Sequence, residues 1–254
     1  MIATPVLKAE WTKFSSVRAT MVLSPAAVAM SAFLGWMFGN AAAIDYATST
    51  PQERLDFSPV ESGMRGVFLV QLLIAGIGVL VVSSEYGSGT MAASMAAVGR
   101  RSRLLAAKAG MTVLTALPVS VASVVLMFTV SQSTLASSGA PAAMPGEPIA
   151  LRILFIGPVV LTLIALFGLA LGFLLRGTAA AVNVAIAFLL LPALSDVMPA
   201  AVGGFVESFW PNAAPFKAIY GSSVLPEPAA YGIVVVFVAV MVAVAFARFR
   251  NRDA

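Results

Sequence analysis

RGVFLVQLLIAGIGVLVV (residues 65–82) is an almost unbroken apolar run, and SSEYGSGTMAASMAAVGRRSRLLAAK (residues 83–108) follows it directly. The first stretch is long enough to cross the roughly 30 Å hydrocarbon core of a bilayer as a helix. The second holds one acid, Glu85, then small residues and glycines, and closes with Arg100, Arg101, Arg103 and Lys108. A short basic connector between two spans belongs on the cytoplasmic side. Together the two stretches set the class of the protein and its expected orientation.

Composition agrees. Of 254 residues, 60% are hydrophobic and 10% charged, against about 25% charged in a soluble domain. The apolar runs are solid rather than alternating, which favours membrane-spanning helices over a β-barrel. The chain has no Cys and no His. Disulfides, thiol nucleophiles, imidazole bases and Cys or His metal ligands are therefore excluded, and the redox compartment is left open. The net charge is +4 and the pI about 9.8. The positive residues sit at the edges of apolar runs, so they read as topology signals and not as a nucleic-acid surface.

Taken in order, residues 4–20 (TPVLKAEWTKFSSVRAT) place Leu7, Trp11 and Phe14 on one helical face. They predict an amphipathic helix in the cytoplasmic interface, with Trp11, Phe14 and Arg18 as anchors. The first span is expected at 21–38, where Ala27, Ser31 and Gly35 recur at intervals of four and admit a close helix neighbour. Ala41-Ala42-Ala43 resembles a signal-peptidase site, but the apolar run before it is long for a signal peptide. An acidic outer loop (39–64) leads to the second span at 65–82. The third is expected at 109–130, bent or broken at Pro118. An outer loop rich in Ser, Ala, Pro and Gly (131–148) precedes the fourth span at 149–175. Arg176-Gly177 is a tight inner turn, and the fifth span, 178–197, carries Asn183 and Pro192. Residues 198–228 are too broken to span and too apolar for water. They predict one or two short helices re-entering the outer leaflet, with Phe209, Trp210, Pro211 and Tyr220 among them. The sixth span covers 229–247, and Arg248, Arg250 and Arg252 end the chain.

With both termini inside, eleven of the fifteen Lys and Arg residues fall in the cytoplasm and four (Arg54, Arg65, Arg152, Lys217) outside; the reverse orientation inverts that bias. The expected fold is an all-α integral membrane protein of six spans, both ends cytoplasmic.

The spans are nearly bare of ionisable residues, which disfavours a stand-alone proton- or sodium-coupled transporter. Asp196 reads as an interface charge and Asn183 as an interhelical hydrogen-bonding residue. No P-loop GKS or GKT, paired carboxylates or nucleophile elbow occurs. Attention returns to residues 83–108. Gly87 and Gly89 permit a sharp turn, Thr90 is placed to cap a helix starting near Met91, and Met91, Met95 and Val98 share a face. Spacing leaves two readings open: these methionines pack on the base of the bundle, or they form an adaptable surface for a cytoplasmic partner.

EYGSGTMAASMAAVGRRSRLLAAK (residues 85–108) resembles the first cytoplasmic loop of bacterial ABC transporter permeases of the type-2 exporter family. AEWTKFSSVRAT (residues 9–20) resembles the opening of that family's actinobacterial branch. One departure is Gly99, where the family often has Pro before the basic pair. The resemblance implies a type-2 ABC exporter architecture in the bacterial plasma membrane. It implies a dimer with a second permease copy or paralogue, and association with a cytoplasmic ABC ATPase subunit. That partner would bind ATP and Mg; this chain itself would bind no cofactor. It further implies that Glu85, Tyr86, Gly89, Thr90, Met91, Met95, Arg100 and Arg101 form the ATPase-coupling interface. Arg100, Arg101 and Arg103 would sit at lipid headgroups or pair with partner acids. A lipophilic or amphipathic substrate fits the apolar spans. The competing reading is a membrane scaffold or sensor that binds a partner without moving substrate.

Two tests follow from sequence. Glu85→Ala is expected to lower coupling without preventing insertion. A cysteine introduced at position 94 is expected to react with an impermeant maleimide only from the cytoplasm; labelling from outside would reverse the orientation.

Overall fold

The protein is described by a computed structural model covering residues 11–12, 18–98 and 100–251, with Arg18 lacking a described side chain. The described residues are helical and contain no strand. In chain order the helices are α1 (Arg18–Thr48), α2 (Pro51–Leu55), α3 (Pro59–Gly63), α4 (Val67–Gly87), α5 (Met91–Val98), α6 (Arg101–Ser137), α7 (Pro148–Leu175), α8 (Thr178–Leu190), α9 (Ala200–Phe209), α10 (Ala214–Tyr220) and α11 (Glu227–Asn251). A 3₁₀ segment, Leu191–Val197, continues α8. Six helices are long and apolar enough to cross a membrane: α1, α4, α6, α7, α8 with its 3₁₀ extension, and α11.

The spans occur where hydropathy places them, but two are much longer than expected. α1 runs past residue 38 to Thr48, and α6 runs from Arg101 to Ser137 instead of 109–130. At 1.5 Å per residue, the 37 residues of α6 extend about 55 Å, well beyond a hydrocarbon core of about 30 Å. The reason lies in the backbone. GNAAAIDYAT is less apolar than the run before it, yet it is Ala-rich and contains no Pro, so polarity falls while helix propensity persists. Pro118 lies inside the continuous helix α6 and does not break it. Pro192 is the proline that coincides with a change of helix type. Of the interfacial helix expected over 4–20, Trp11 and Thr12 are helical, Trp11 is exposed, and Arg18 to Thr20 open α1. Phe14 lies outside the described residues.

α7 is the centre of the bundle, touching α4, α6, α8, α10 and α11. Between Val160 and Phe173 most of its side chains are buried. α4 lies against it at backbone distance. A Cβ on Gly78 would fall 1.8 Å from the Ala165 carbonyl oxygen, and one on Gly168 would fall 2.1 Å from that of Ala75. Such spacing lets backbones touch where lipid supplies no hydrophobic drive to association. The small-residue stripe expected on the first span is likewise an interface. Ala27 and Ser31 are fully buried, and a Cβ on Gly35 would meet the Met127 carbonyl of α6 at 2.7 Å.

At the distal end Gln132 of α6 joins two connections to the bundle. Its Nε2 donates to the Pro59 carbonyl (3.2 Å), and its Oε1 accepts from the Ala143 N–H (2.9 Å). Arg152 pairs with Glu227 at 2.6 Å, holding the start of α7 beside that of α11.

Because the neighbour at Gly168 is backbone, it cannot rotate away. Gly168→Ala is expected to destabilise the bundle by about 1–3 kcal/mol, the range for core overpacking. Thermal unfolding in detergent checks this; an unchanged midpoint would contradict the close crossing.

Candidate functional site

The basal end, where α4 stops and α6 starts, gathers most of the residues singled out from sequence. Glu85 falls in the last turn of α4, which ends at Gly87. Gly89 then takes a φ of 72°, a left-handed value that favours glycine, and α5 starts at Met91. Thr90 contributes its carbonyl to the Ser94 N–H (3.0 Å), and its hydroxyl meets that of Ser88 at 2.9 Å.

Lys108 was expected as one more basic residue at a membrane edge. It is instead fully buried, and its Nζ lies 3.0 Å from Glu85 Oε1 and donates to the Val81 carbonyl at 3.1 Å. Glu85 is 6% exposed. Buried charges persist when paired and hydrogen-bonded, and this pair ties the base of α4 to the base of α6. Glu85 therefore offers no direct contact surface; it acts through Lys108 on the geometry of the loop.

The alternative left open for the methionines is decided by packing. Met91 is buried and Met95 and Val98 are half-buried, all against an apolar cluster of Val82, Leu104, Leu105, Leu169 and Phe173. The outward face of α5 carries Ala92, Ala93, Ala96 and Ala97. Ser94 is 6% exposed, so an accessible cysteine belongs at Ala93 and not at position 94.

Arg100 and Arg103 are exposed. Arg101 turns inward, and its Nη1 donates to the carbonyls of Arg250 (3.0 Å) and Phe249 (3.4 Å), at the C-terminus of α11. A cation is favourable there against the helix dipole. Beside this lies a cavity of about 240 Å³ lined by Glu85, Tyr86, Met91, Met95, Arg176 and Phe249. The Arg176 guanidinium carbon sits 5.5 Å from the Tyr86 ring centroid, a cation–π distance. Arg176 itself closes α7 with a φ of 56°. Sequence reasoning marked Arg176-Gly177 as a turn, but glycine is the usual left-handed closing residue; here Gly177 is extended (φ −131°) and Arg176 takes the strained position. Thr178 Oγ1 then donates to Ser83 Oγ (2.9 Å), fastening the turn to α4.

A second polar node lies deeper. Pro192 has no N–H, so the Phe188 carbonyl loses its helical donor. The Trp210 indole N–H replaces it at 2.9 Å. The next carbonyl, Leu189, accepts from Asn212 Nδ2 (3.0 Å) and Gln71 Nε2 (3.4 Å), and Asn212 Nδ2 also meets Gln71 Oε1 at 3.3 Å. Gln71 and Asn212 are buried. Leu189 is roughly 17 Å along α8 from Thr178, about half of a hydrocarbon core. The segment expected to re-enter the membrane is a helix pair, α9 and α10, whose Trp210–Ala213 link lies against the Phe188 and Leu189 carbonyls. Phe209 stacks on Phe205, Pro211 is half-buried within the link, and Tyr220 stacks on Phe216. Gln71 and Asn212 were missed because each lies in an apolar stretch with no local partner; the break at Pro192 was the available signal. Asn183 faces outward, not into the bundle.

Among the described residues no group of three or more Asp, Glu, His or Cys gathers as a metal site. Scans of the chain against protein-family models and against curated proteins find no match.

Lys108→Leu is expected to cost about 3–5 kcal/mol, because it leaves Glu85 buried without its cation, whereas Glu85→Leu/Lys108→Leu is expected to recover most of that loss. Comparing unfolding midpoints of the single and double variants checks the pair; equal losses would refute it.

Proposed function

We propose that this chain is the membrane-spanning permease subunit of an ATP-driven exporter of the ABC-2 type. In this reading it works as a dimer in the bacterial plasma membrane. It moves a lipophilic or amphipathic substrate outward by alternating access, driven by a separate cytoplasmic ATPase that carries ATP and Mg. The observation that carries the proposal is the mounting of α5. This short helix hangs between two spans whose bases are joined by the buried Glu85–Lys108 pair. A force on α5 is therefore delivered to α4 and α6 together, and α4 lies against the central helix α7 along a glycine crossing. The loop's resemblance to the coupling loop of such permeases supports the same reading.

The residues divide into two roles. Ala92, Ala93, Ala96 and Ala97 form the outward face on which the ATPase would seat, small enough for close approach. Glu85, Lys108, Met91 and Met95 position that face from behind. Tyr86 and Arg176 link it to the α7–α8 turn, so both basal connections would move together. Glu85→Ala is a poor probe of docking, since it strands a buried cation.

Ala97→Trp places a large side chain on the docking face without entering the core. The wild-type chain is expected to co-purify with an ATPase subunit in mild detergent, and Ala97→Trp to lose it while keeping its unfolding midpoint. Substrate-stimulated ATPase activity in the reconstituted complex distinguishes export from a scaffold role. Failure to recover any ATPase with the wild-type chain would remove the energy source and overturn the proposal.

A further inference from the structure

The basal cavity adjoins the outward face of α5. Ala92 belongs to that face and also lines the cavity. Gly89 lines it too, and a Cβ added there would meet nothing within 4 Å, so this edge is open. The remaining walls include Tyr86, Met91, Met95 and Phe249. At about 240 Å³ the space is smaller than the roughly 300–1,000 Å³ of small-molecule sites. It suits a single side chain.

Arg176 supplies the cation of this cavity. Among the described residues no carboxylate pairs with it. Its contact is the Tyr86 ring, 5.5 Å away, which is neutral and leaves the positive charge unbalanced. Glu85 lines the same space, but Lys108 holds it at 3.0 Å and balances its charge. Around the cavity the basal end carries Arg100, Arg103, Arg248 and Arg250, all exposed. A partner surface that seats here meets positive charge and is complementary when acidic.

The backbone adds an independent observation. Among the described residues Arg176 is the one non-glycine residue with a positive φ, at 56°. Glycine takes that region without strain, yet the adjacent Gly177 is extended. Strain of this kind gathers at ligand clamps and switch regions. Here it presents a guanidinium to the cavity.

We infer that the cavity receives one aspartate or glutamate side chain of the partner that seats on α5, its carboxylate paired with the Arg176 guanidinium beside Tyr86. A guanidinium fork matches a carboxylate in two parallel hydrogen bonds. The identity of the partner as the ATPase rests on the function proposed above; its acid is read from the cavity itself. The pair would give the partner a second hold, on the α7–α8 turn. Displacement would then reach the central helix α7 directly as well as through α4.

The test uses the full chain in complex with its co-purified ATPase subunit, in neutral detergent without added lipid. In the Arg176→Lys variant a water-soluble carbodiimide condenses the new amine with an adjacent carboxylate to an amide, the reagent taking up the water as a urea. Peptide mass spectrometry is expected to find position 176 joined to an Asp or Glu of the ATPase subunit. Arg176→Gln is expected to weaken the complex about tenfold, the effect of one lost charge-assisted hydrogen bond. Arg176→Gly is expected to weaken it equally while keeping or raising the unfolding midpoint, because glycine relieves the strain. An intact complex in which position 176 stays unlinked, or links to Glu85 alone, would overturn the inference and leave the proposed function standing. So would Arg176→Gly lowering the midpoint with the affinity unchanged, which assigns the arginine to the fold. An effect of Arg176→Gln seen only when phosphatidylglycerol is added would assign the cation to a lipid headgroup and likewise overturn it. Recovery of no ATPase with the wild-type chain would overturn the proposed function and this inference together.

Discussion

A backbone carbonyl that loses its helical donor inside a membrane finds no water to replace it, and much of this structure answers that constraint. At Pro192 the Phe188 carbonyl is freed and the Trp210 indole takes it. The Leu189 carbonyl receives Asn212 and Gln71. The α9–α10 pair is held against α8 because its link carries the donors that the broken helix needs. Were Trp210 apolar, the Phe188 carbonyl would lose this donor at a cost of about 1–3 kcal/mol by mutational measures, whereas Leu189 without Asn212 would still have Gln71.

The same scarcity of polar partners makes the basal end rigid. Lys108 serves the Glu85 carboxylate and the Val81 carbonyl from one ammonium group, and Arg101 serves two carbonyls at the end of α11. The loop between α4 and α6 is thereby fixed to three helices rather than draped beneath them. Its outward face is left with alanines, and its bulky methionines are spent on packing. A surface mounted this way transmits displacement, which is the property the proposed coupling role requires.

Packing in the middle of the bundle follows from steric economy. Gly78 and Gly168 bring α4 and α7 into backbone contact, and Gly35 does the same for α1 against α6. Dispersion falls steeply with separation, so helices without a hydrophobic incentive to associate gain most where side chains are absent. α8 and α11 lack such crossings and keep much of their surface exposed, which leaves room for lipid or another subunit.

Sequence alone determined the six apolar helices, the short helices between the fifth and the sixth, the tight Arg176-Gly177 turn and the short helix after Gly89, because hydropathy and glycine or proline placement are local properties. It marked Ala27, Ser31 and Gly35 as an interface for the same reason. It misjudged the lengths of α1 and α6, since helix propensity outlasts hydrophobicity there. It read Lys108 as a boundary charge and left the role of Met91 and Met95 undecided. Only the tertiary structure decided these, because a lysine's environment depends on a carboxylate 23 positions away and a helix face becomes buried only when another element covers it. The pairing of Gln71 with Asn212, 141 positions apart, is the extreme case: neither residue signals its partner until the break at Pro192 brings them to the same carbonyl.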